Sequence, residues 1–307
     1  MTKSKAVKRR VLVLGGNGFI GRHAVAALVG AGIDVTIGTR HPRARDDRVS
    51  ELAVQLDRMT AASDWQSVAA DFDTLLNCVG ILRQRGHETY ERVHHEAPAA
   101  IARACAEADT RFVHVSALGL EHPHRSRFLT SKRRGEQAVQ DAGGDWMLVR
   151  PSLLDGEGGF GAAWLRGVAR LPVFAVPADA RGLIAACCAH DIGEALMRLS
   201  TAAADALDLS QSRVFELGGT DAHRFKDYIR GLRALQSTGR ALGIPIPGLL
   251  ARLGAHLCDV LHFSPFSFGH WELLRKDNVP TPNRLPELLG RAPRRVIAPA
   301  TSIKTAS

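Results

Sequence analysis

The chain holds no run of about 18 uninterrupted apolar residues, the length a helix needs to cross a bilayer, so no membrane span is predicted. No secretory leader is expected either, because the basic stretch Met1–Arg10 runs into an apolar segment that a glycine loop breaks at once. The expected compartment is therefore the cytoplasm. Cysteine is scarce: Cys78, Cys105, Cys187, Cys188 and Cys258 form an odd set without CxxC spacing, which argues against a disulfide framework and against a zinc site. They read as small buried hydrophobes. Tyrosine is scarcer still, with Tyr90 and Tyr228 the only two.

Apolar residues fill 45% of the 307 positions, ordinary for a globular chain, and the length suits one large α/β domain with a smaller appended lobe. A formal net charge of +9 and a pI near 9.8 suit an anionic partner, whether a phosphate-bearing cofactor, an acidic protein, nucleic acid or anionic lipid. No DNA- or RNA-binding motif accompanies that charge, and arginines scattered over helices read more readily as solvated surface, so no nucleic-acid partner is expected. The histidines invite a metal hypothesis. His94 and His95, however, are adjacent and cannot both face one ion from a helix, and His122 with His124 occupies a proline-containing loop, so no metal site is expected.

Arg10-Val11-Leu12-Val13-Leu14 reads as an apolar strand that runs into Gly15-Gly16-Asn17-Gly18-Phe19-Ile20-Gly21 and then a helix. That pattern is a dinucleotide-binding turn: Gly15 permits the tight turn, Gly18 lets the backbone approach a pyrophosphate, and Gly21 lets the helix pack closely on the strand. The first helical N–H groups then face the phosphates.

Strand and helix patterns alternate through the first half. Strands are predicted at 11–14, 34–40, 53–56, 74–80, 111–116 and 146–150, with helices at 23–29, around Trp65, at 88–108 and at 126–141. Pro98 must kink or restart the helix that contains it. The repetition predicts a Rossmann-type α/β fold, a doubly wound parallel sheet with ligand at the carboxyl ends of the strands, near Gly15, Arg40, Gly80, Ser116 and Pro151. After Pro151 the rhythm changes to a loop with Gly156, Gly158, Gly159 and Gly161, one more strand at 214–219, and a remainder that looks helical until Pro280. The expected organisation is a nucleotide-binding domain over 8–155, a smaller, mainly helical lobe over 156–280 with some segments returning to the main sheet, and an extended tail over 281–307. Within the lobe, Leu249 to Leu261 carries an apolar helical face whose commonest meaning is core packing, a partner or membrane-surface contact being the alternative.

Arg40 falls where the second strand ends, the position at which an acidic residue takes the ribose 2′-hydroxyl in NAD binders. An arginine there favours NADP(H), because its planar fork can hold a 2′-phosphate bidentately, with NAD(H) as the alternative. Arg43 and Arg45 lie close by in sequence.

Gly15-x-x-Gly18-Phe19-Ile20-Gly21, Asn77-Cys78-Val79-Gly80, Ser116, Lys132 and Arg150-Pro151-Ser152 together resemble the short-chain dehydrogenase/reductase superfamily over residues 10 to about 155. Tyr90 to Ala97, His114 to Gly119, Ser131 to Glu136 and, less specifically, Asp277-Asn278-Val279 are similar to an atypical branch of it. That branch contains the NADPH-binding accessory subunit of respiratory complex I and its bacterial relatives. The resemblance implies cofactor contacts from Gly15, Asn17, Gly18, Phe19, Ile20 and Gly21, from Asp57 near the adenine, and from Cys78, Val79 and Gly80 beside the adenine ribose. It further implies Ser116 on the nicotinamide side, Lys132 on the ribose hydroxyls, and Pro151 and Ser152 lining the nicotinamide end.

The active superfamily pairs its lysine with a tyrosine four residues earlier, the general acid of hydride transfer. Here that position is Phe128, and a phenyl ring has no proton to give. Tyr90 is followed four later by His94 and Tyr228 by Leu232, so neither tyrosine supplies such a pair; Thr130 and Ser131 are expected to project from other faces of the helix. Ser116 and Lys132 are thus an incomplete catalytic set. The expected function is an NADP(H)-binding protein without efficient dehydrogenase activity, in a structural or redox-sensing role with a protein partner at a membrane complex. The alternative is an NADP-dependent oxidoreductase or isomerase with a non-standard proton donor.

Overall fold

The structure, a computed structural model, describes residues 9–42, 49–209, 212–236, 239, 241–261 and 266–297. Its first half contains β1 (Arg10–Leu14), α1 (Phe19–Gly30), β2 (Asp34–Thr39), β3 (Ser50–Ala53), α2 (Gln66–Ala70), β4 (Thr74–Asn77), α3 (Ala97–Glu107), β5 (Arg111–Val115), α4 (Arg127–Asp141) and β6 (Trp146–Pro151). The second half adds β7 (Leu154–Asp155), α5 (Phe160–Arg170), β8 (Val173–Pro177), β9 (Leu183–Ile184), β10 (Cys187–Cys188), α6 (Ala189–Thr201) and β11 (Val214–Leu217). It ends with β12 (His223–Arg224), α7 (Phe225–Leu235), β13 (Leu242–Ile246), α8 (Gly248–Leu261), α9 (Phe268–Leu274) and α10 (Leu285–Leu289).

Seven strands form one sheet in the order β11-β6-β5-β4-β1-β2-β3, every pair parallel. The chain order reverses between β1 and β4, the switch point at which such sheets open a ligand crevice. Both faces of the sheet are covered, which is why β1 is a continuous apolar run and not an alternating one. Val11 and Val13 enter a core with Leu28 of α1 and Leu196 of α6, while Leu12 and Leu14 enter a second core with Trp65, Ile101 of α3 and Val139 of α4. The doubly wound Rossmann-like architecture expected from the alternation is present, with a further, largely helical region after it.

Several boundaries differ from the sequence reading for identifiable reasons. Helix α1 begins at Phe19, because the glycine turn needs only the residues up to Gly18. The third strand lies at Ser50–Ala53, earlier than the apolar Ala53 to Leu56 stretch suggests; Val54 and Leu56 are buried loop residues beside it. Pro98 falls at a restart of the helix, because the helical run that begins at Tyr90 resumes as α3 at Ala97, just before the residue that lacks an N–H. A single π-turn, Arg92–Glu96, leads into α3. The stretch before Pro280 is not helical throughout, as β13 pairs with β8.

The second half is interleaved with the first. β11 completes the main sheet beside β6, and α6 and α10 pack onto the core that contains β1. Within 281–307, expected to be extended, α10 buries Leu285 and Leu288 in that same core. The smaller lobe has its own cores, one joining α5, β8 and α7 through Leu165, Phe174 and Tyr228, the other holding Ala251, Ala255, Phe268 and Trp271. No helix among the described residues is long and apolar enough to cross a membrane.

Because Leu285 is fully buried in the main core, Leu285→Ala is expected to cost about 2–5 kcal/mol of unfolding free energy in a urea titration. A loss below about 0.5 kcal/mol, the usual surface value, would mean that α10 does not carry core packing.

Candidate functional site

At the end of β1 the chain turns through Gly15, whose φ of +73° is accessible to glycine at little cost. The Gly18 amide donates to the Gly15 carbonyl at 2.8 Å and closes the turn. Gly21, one turn into α1, lies so close that a Cβ there would collide with that same carbonyl oxygen. No side chain caps α1 and no acidic residue occupies its first turn, so its leading N–H groups keep their capacity for an anion. Phe19 stands beside the second glycine loop: a Cβ on Gly159 would be 2.7 Å from its ring. That loop brings Gly158, at φ +77°, against the guanidinium of Arg22. Asn17 and Ile20 complete the turn, Asn17 exposed and Ile20 packed on the core.

The neighbouring strand ends converge on the same edge. Asn77 closes β4; its side-chain oxygen accepts the Val79 N–H at 3.0 Å and its amide meets His114 Nδ1 at 3.1 Å, tying the β4 end to β5. Burial pushes the Cys78 thiol up to about 12, so it stays protonated and unreactive. Ser116 follows β5 and is 6% exposed, and its hydroxyl has no hydrogen-bond partner among the described residues. An unpaired hydroxyl at a strand end fits a polar group of a ligand laid across the edge, and with the glycine cradle it suits a dinucleotide.

Pro151 ends β6, with its carbonyl accepting the Leu118 N–H. Ser152 is spent differently, since its hydroxyl lies 2.7 Å from the side-chain oxygen of Asn278 and 2.8 Å from its carbonyl. Asn278 also donates to the Leu118 carbonyl at 2.9 Å. Asn278, in the Asp277-Asn278-Val279 stretch, is therefore a brace across the ends of β5 and β6.

Helix α4 presents Phe128 and Lys132 one turn apart, as i and i+4 spacing requires. Lys132 Nζ lies 5.8 Å from the Phe128 ring centroid. The Phe128 ring is held by three aromatic neighbours, edge-on to Tyr90 at 5.7 Å and to His94 at 5.4 Å and stacked on His270 at 6.0 Å. Tyr90 stacks on His94 and donates its hydroxyl to the Leu82 carbonyl at 2.9 Å. The Cβ that Gly80 lacks would stand 3.8 Å from both Lys132 Nζ and His94 Nε2, so these two groups face one opening beside β4. Burial pulls the Lys132 ammonium down to about 8, against the opposing charge of Glu136.

His94 and Ser131 were not foreseen as parts of this cluster. Ser131 is buried and meets His94 Nδ1 at 3.1 Å, contrary to the expectation that it points elsewhere; Thr130 is exposed. The Ile81 N–H donates to His94 Nε2 at 3.0 Å, which places the ring proton on Nδ1, donated to Ser131, whose hydroxyl in turn donates to the Phe128 carbonyl. Burial, with the positive charge of Lys132 second, keeps His94 well below its ordinary pKa and therefore neutral. The Tyr90 and His94 spacing of four was the available signal; only their common π-turn and helical run turns that spacing into a stack.

Arg40 lies just past β2 and is 58% exposed, ion-paired to Glu88 at 2.8 Å. Arg43 and Arg45 lie outside the described residues. Asp57 sits in the turn after β3, where its carbonyl accepts from Arg92. His190, Asp191 and Glu194 form a metal-like group, but Arg291 and Arg294 already neutralise both carboxylates.

A family sequence model described as NAD(P)H-binding matches residues 15–168, half of the chain. The chain is 32% identical over 152 residues to a ceramide reductase of Caulobacter vibrioides, covering 48% of this chain and 47% of that protein. It is 30% identical over 152 residues to the mitochondrial NADH dehydrogenase [ubiquinone] 1 alpha subcomplex subunit 9 of Rattus norvegicus, covering 47% of this chain and 40% of the relative. The chain thus spans a little under half the length of these curated relatives. In three dimensions it is similar to the NADPH-dependent quinone oxidoreductase QOR2 of Escherichia coli in complex with NADPH, with a TM-score of 0.68, 16% identity and coverage of 96% and 99% of the two chains. MoeE5 in complex with UDP-glucuronic acid and NAD gives a TM-score of 0.64 at 18% identity, with coverage of 93% and 94%. At such identities these likenesses speak for the fold.

Three buried imidazoles, His94, His114 and His270, set a pH dependence. Burial with the Lys132 charge holds His94 well below its ordinary value of 6.5 and lowers His114 to about 3, and burial with the Arg83 charge lowers His270 to about 4. These rings stay neutral in the folded chain while the unfolded chain takes up a proton on each as pH falls through 6.5. The stability tied to neutrality is complete above 6.5 and is lost below it, at about 1.4 kcal/mol per pH unit for each ring. Urea titrations between pH 7 and pH 5 are expected to show this slope, and His114→Gln should reduce it by about one proton. Equal slopes in the two proteins would mean that His114 titrates as an ordinary surface histidine.

Proposed function

The chain belongs to the NAD(P)H-binding family, and from that premise we propose that it holds NADP(H) without carrying out efficient dehydrogenation, as a structural or redox-sensing component of a larger assembly on the cytoplasmic side of a membrane. The relative named as a subunit of NADH dehydrogenase supports the assembly part of this reading. The observation that carries the reading is Phe128: α4 presents its lysine in register, but the residue one turn earlier is a ring locked among Tyr90, His94 and His270.

In this reading the Gly15 to Gly21 turn and the first turn of α1 hold the pyrophosphate. Val79 and Gly80 flank the adenine ribose and Asp57 the adenine, with the half-buried Cys78 behind them. Lys132 holds the nicotinamide ribose, Ser116 supplies the hydroxyl at the nicotinamide and Pro151 borders it, while Ser152 acts indirectly by fixing Asn278. A bound nicotinamide supplies hydride chemistry. What this chain does not supply is a phenol to protonate the product, a loss of about 10²- to 10⁴-fold in rate.

A second reading, an NADP-dependent oxidoreductase, is favoured by one specific observation. Lys132 is pulled down to about 8, so its ammonium can release a proton near neutral pH, and it faces the β4 opening that the cofactor would share. The relative named ceramide reductase suggests long-chain carbonyl compounds as the class to test.

Purified protein with NADPH and quinone or long-chain carbonyl acceptors is expected to turn over at background rate, and Phe128→Tyr to raise that rate by about 10²-fold if the rest of the site is intact. Wild-type turnover at ordinary enzymatic rates, declining above pH 8 as Lys132 loses its proton, would replace the first reading by the second.

The NADP preference rests on Arg40 exchanging Glu88 for a 2′-phosphate. Arg40→Ala is expected to weaken NADPH by about 10- to 150-fold in isothermal titration while leaving NADH nearly unchanged. Equal losses for both nucleotides would sink the assignment.

A further inference from the structure

Helix α8 is amphipathic in the reverse sense to a core helix. Its small residues Ala251 and Ala255 are buried with Phe268 and Trp271, whereas Leu249, Leu250, Leu253, Leu257 and Leu261 stand 53–67% exposed. At about 100° per residue the five leucines fall within an arc of about 120°. The strand that feeds α8 continues the pattern, with Leu242 and Ile244 of β13 exposed beside Val173 of β8. A run of large apolar side chains turned outward on one helix marks a surface that meets another apolar phase.

Charge identifies that phase. Beside α8 lies a cleft of about 370 Å³ lined by Arg125, Arg252 and Arg275 together with Phe268 and Trp271. Its acidic member, Glu272, is already engaged by the backbone N–H groups of Arg125 and Ser126 at 3.0 and 2.9 Å. Arg275 is paired with Asp179 at 3.2 Å, but among the described residues Arg125 and Arg252 have no acidic partner. The Arg252 guanidinium lies 5.9 Å from the centre of the Phe268 ring, on the flank of the leucine arc.

We propose that this face docks on an anionic phospholipid bilayer, with the leucines among the acyl chains and Arg125 and Arg252 at the lipid phosphates. Hydrocarbon bordered by anions is the chemistry that a leucine arc bordered by unpaired arginines complements. The net charge of +9 brings the whole molecule towards the same surface. A second copy of the chain fits less well, because a two-fold contact through α8 would carry the arginines of both copies towards one another. The contact is interfacial and not spanning, since no described helix is long enough to cross.

The test is cosedimentation of the full chain with phosphatidylcholine vesicles, with and without phosphatidylglycerol. The wild type is expected to sediment with phosphatidylglycerol vesicles and to be released by salt. The double substitution Leu253→Glu and Leu257→Glu should abolish binding, and Arg125→Ala and Arg252→Ala should each weaken it by about fivefold. Thermal melting and NADPH titration of the same samples report folding and keep the cofactor reading separate. The proposal is overturned if the wild type ignores the vesicles, if the glutamate variant binds them as well as the wild type, or if the wild type is a dimer that Leu253→Glu splits without change in vesicle binding.

Discussion

The contact on which the site depends is the approach of α1 to the turn that precedes it. Gly21 rests against the Gly15 carbonyl without room for a Cβ, and on the other side of the helix Gly193 of α6 is equally tight against the His23 carbonyl. Two missing side chains thus pin α1 between the β1 turn and α6, and the helix N-terminus is delivered to the sheet edge where β1 and β4 diverge. Every other element of the candidate site is measured from that edge: Val79 and Gly80 after β4, Ser116 after β5, Pro151 at the end of β6.

Against this frame the region around Lys132 is a site with its polar chemistry redirected. His94, Ser131 and the Phe128 carbonyl form a closed hydrogen-bond chain that ends on backbone and offers no proton outward. Tyr90 brings a phenol close to Phe128, yet its proton goes to the Leu82 carbonyl. Ser116, at the end of β5, keeps a hydroxyl without a hydrogen-bond partner among the described residues. The balance is a sheet edge with a glycine cradle at the end of β1 and packed aromatic rings beside Lys132.

Much of the fold was legible in residues 10–150, because strands covered on both faces must be apolar runs and because turns with positive φ demand glycine. The glycine turn and the phenylalanine four residues before Lys132 follow from spacing along one strand or one helix, which local sequence carries in full. The brace from Ser152 to Asn278 spans 126 residues and the pairing of Arg40 with Glu88 spans 48, and no local pattern encodes such partners. The apolar face at Leu249 to Leu261 shows the same limit. Its periodicity told that one side of the helix is apolar, and the expectation of a core followed; the alanines took the inside because Phe268 and Trp271 leave space there only for small residues.

The sequence by itself determined the class of fold, the place of the glycine turn after β1 and the absence of a phenol one turn before Lys132, since each is a matter of residue type at short spacing. Tertiary structure alone decided which hydroxyls remain unpaired, that Ser131 turns inward to His94, that Arg40 already has a partner, and which side of α8 meets the outside. Those outcomes depend on which distant groups are brought within hydrogen-bond or packing distance, and only the folded chain sets those distances.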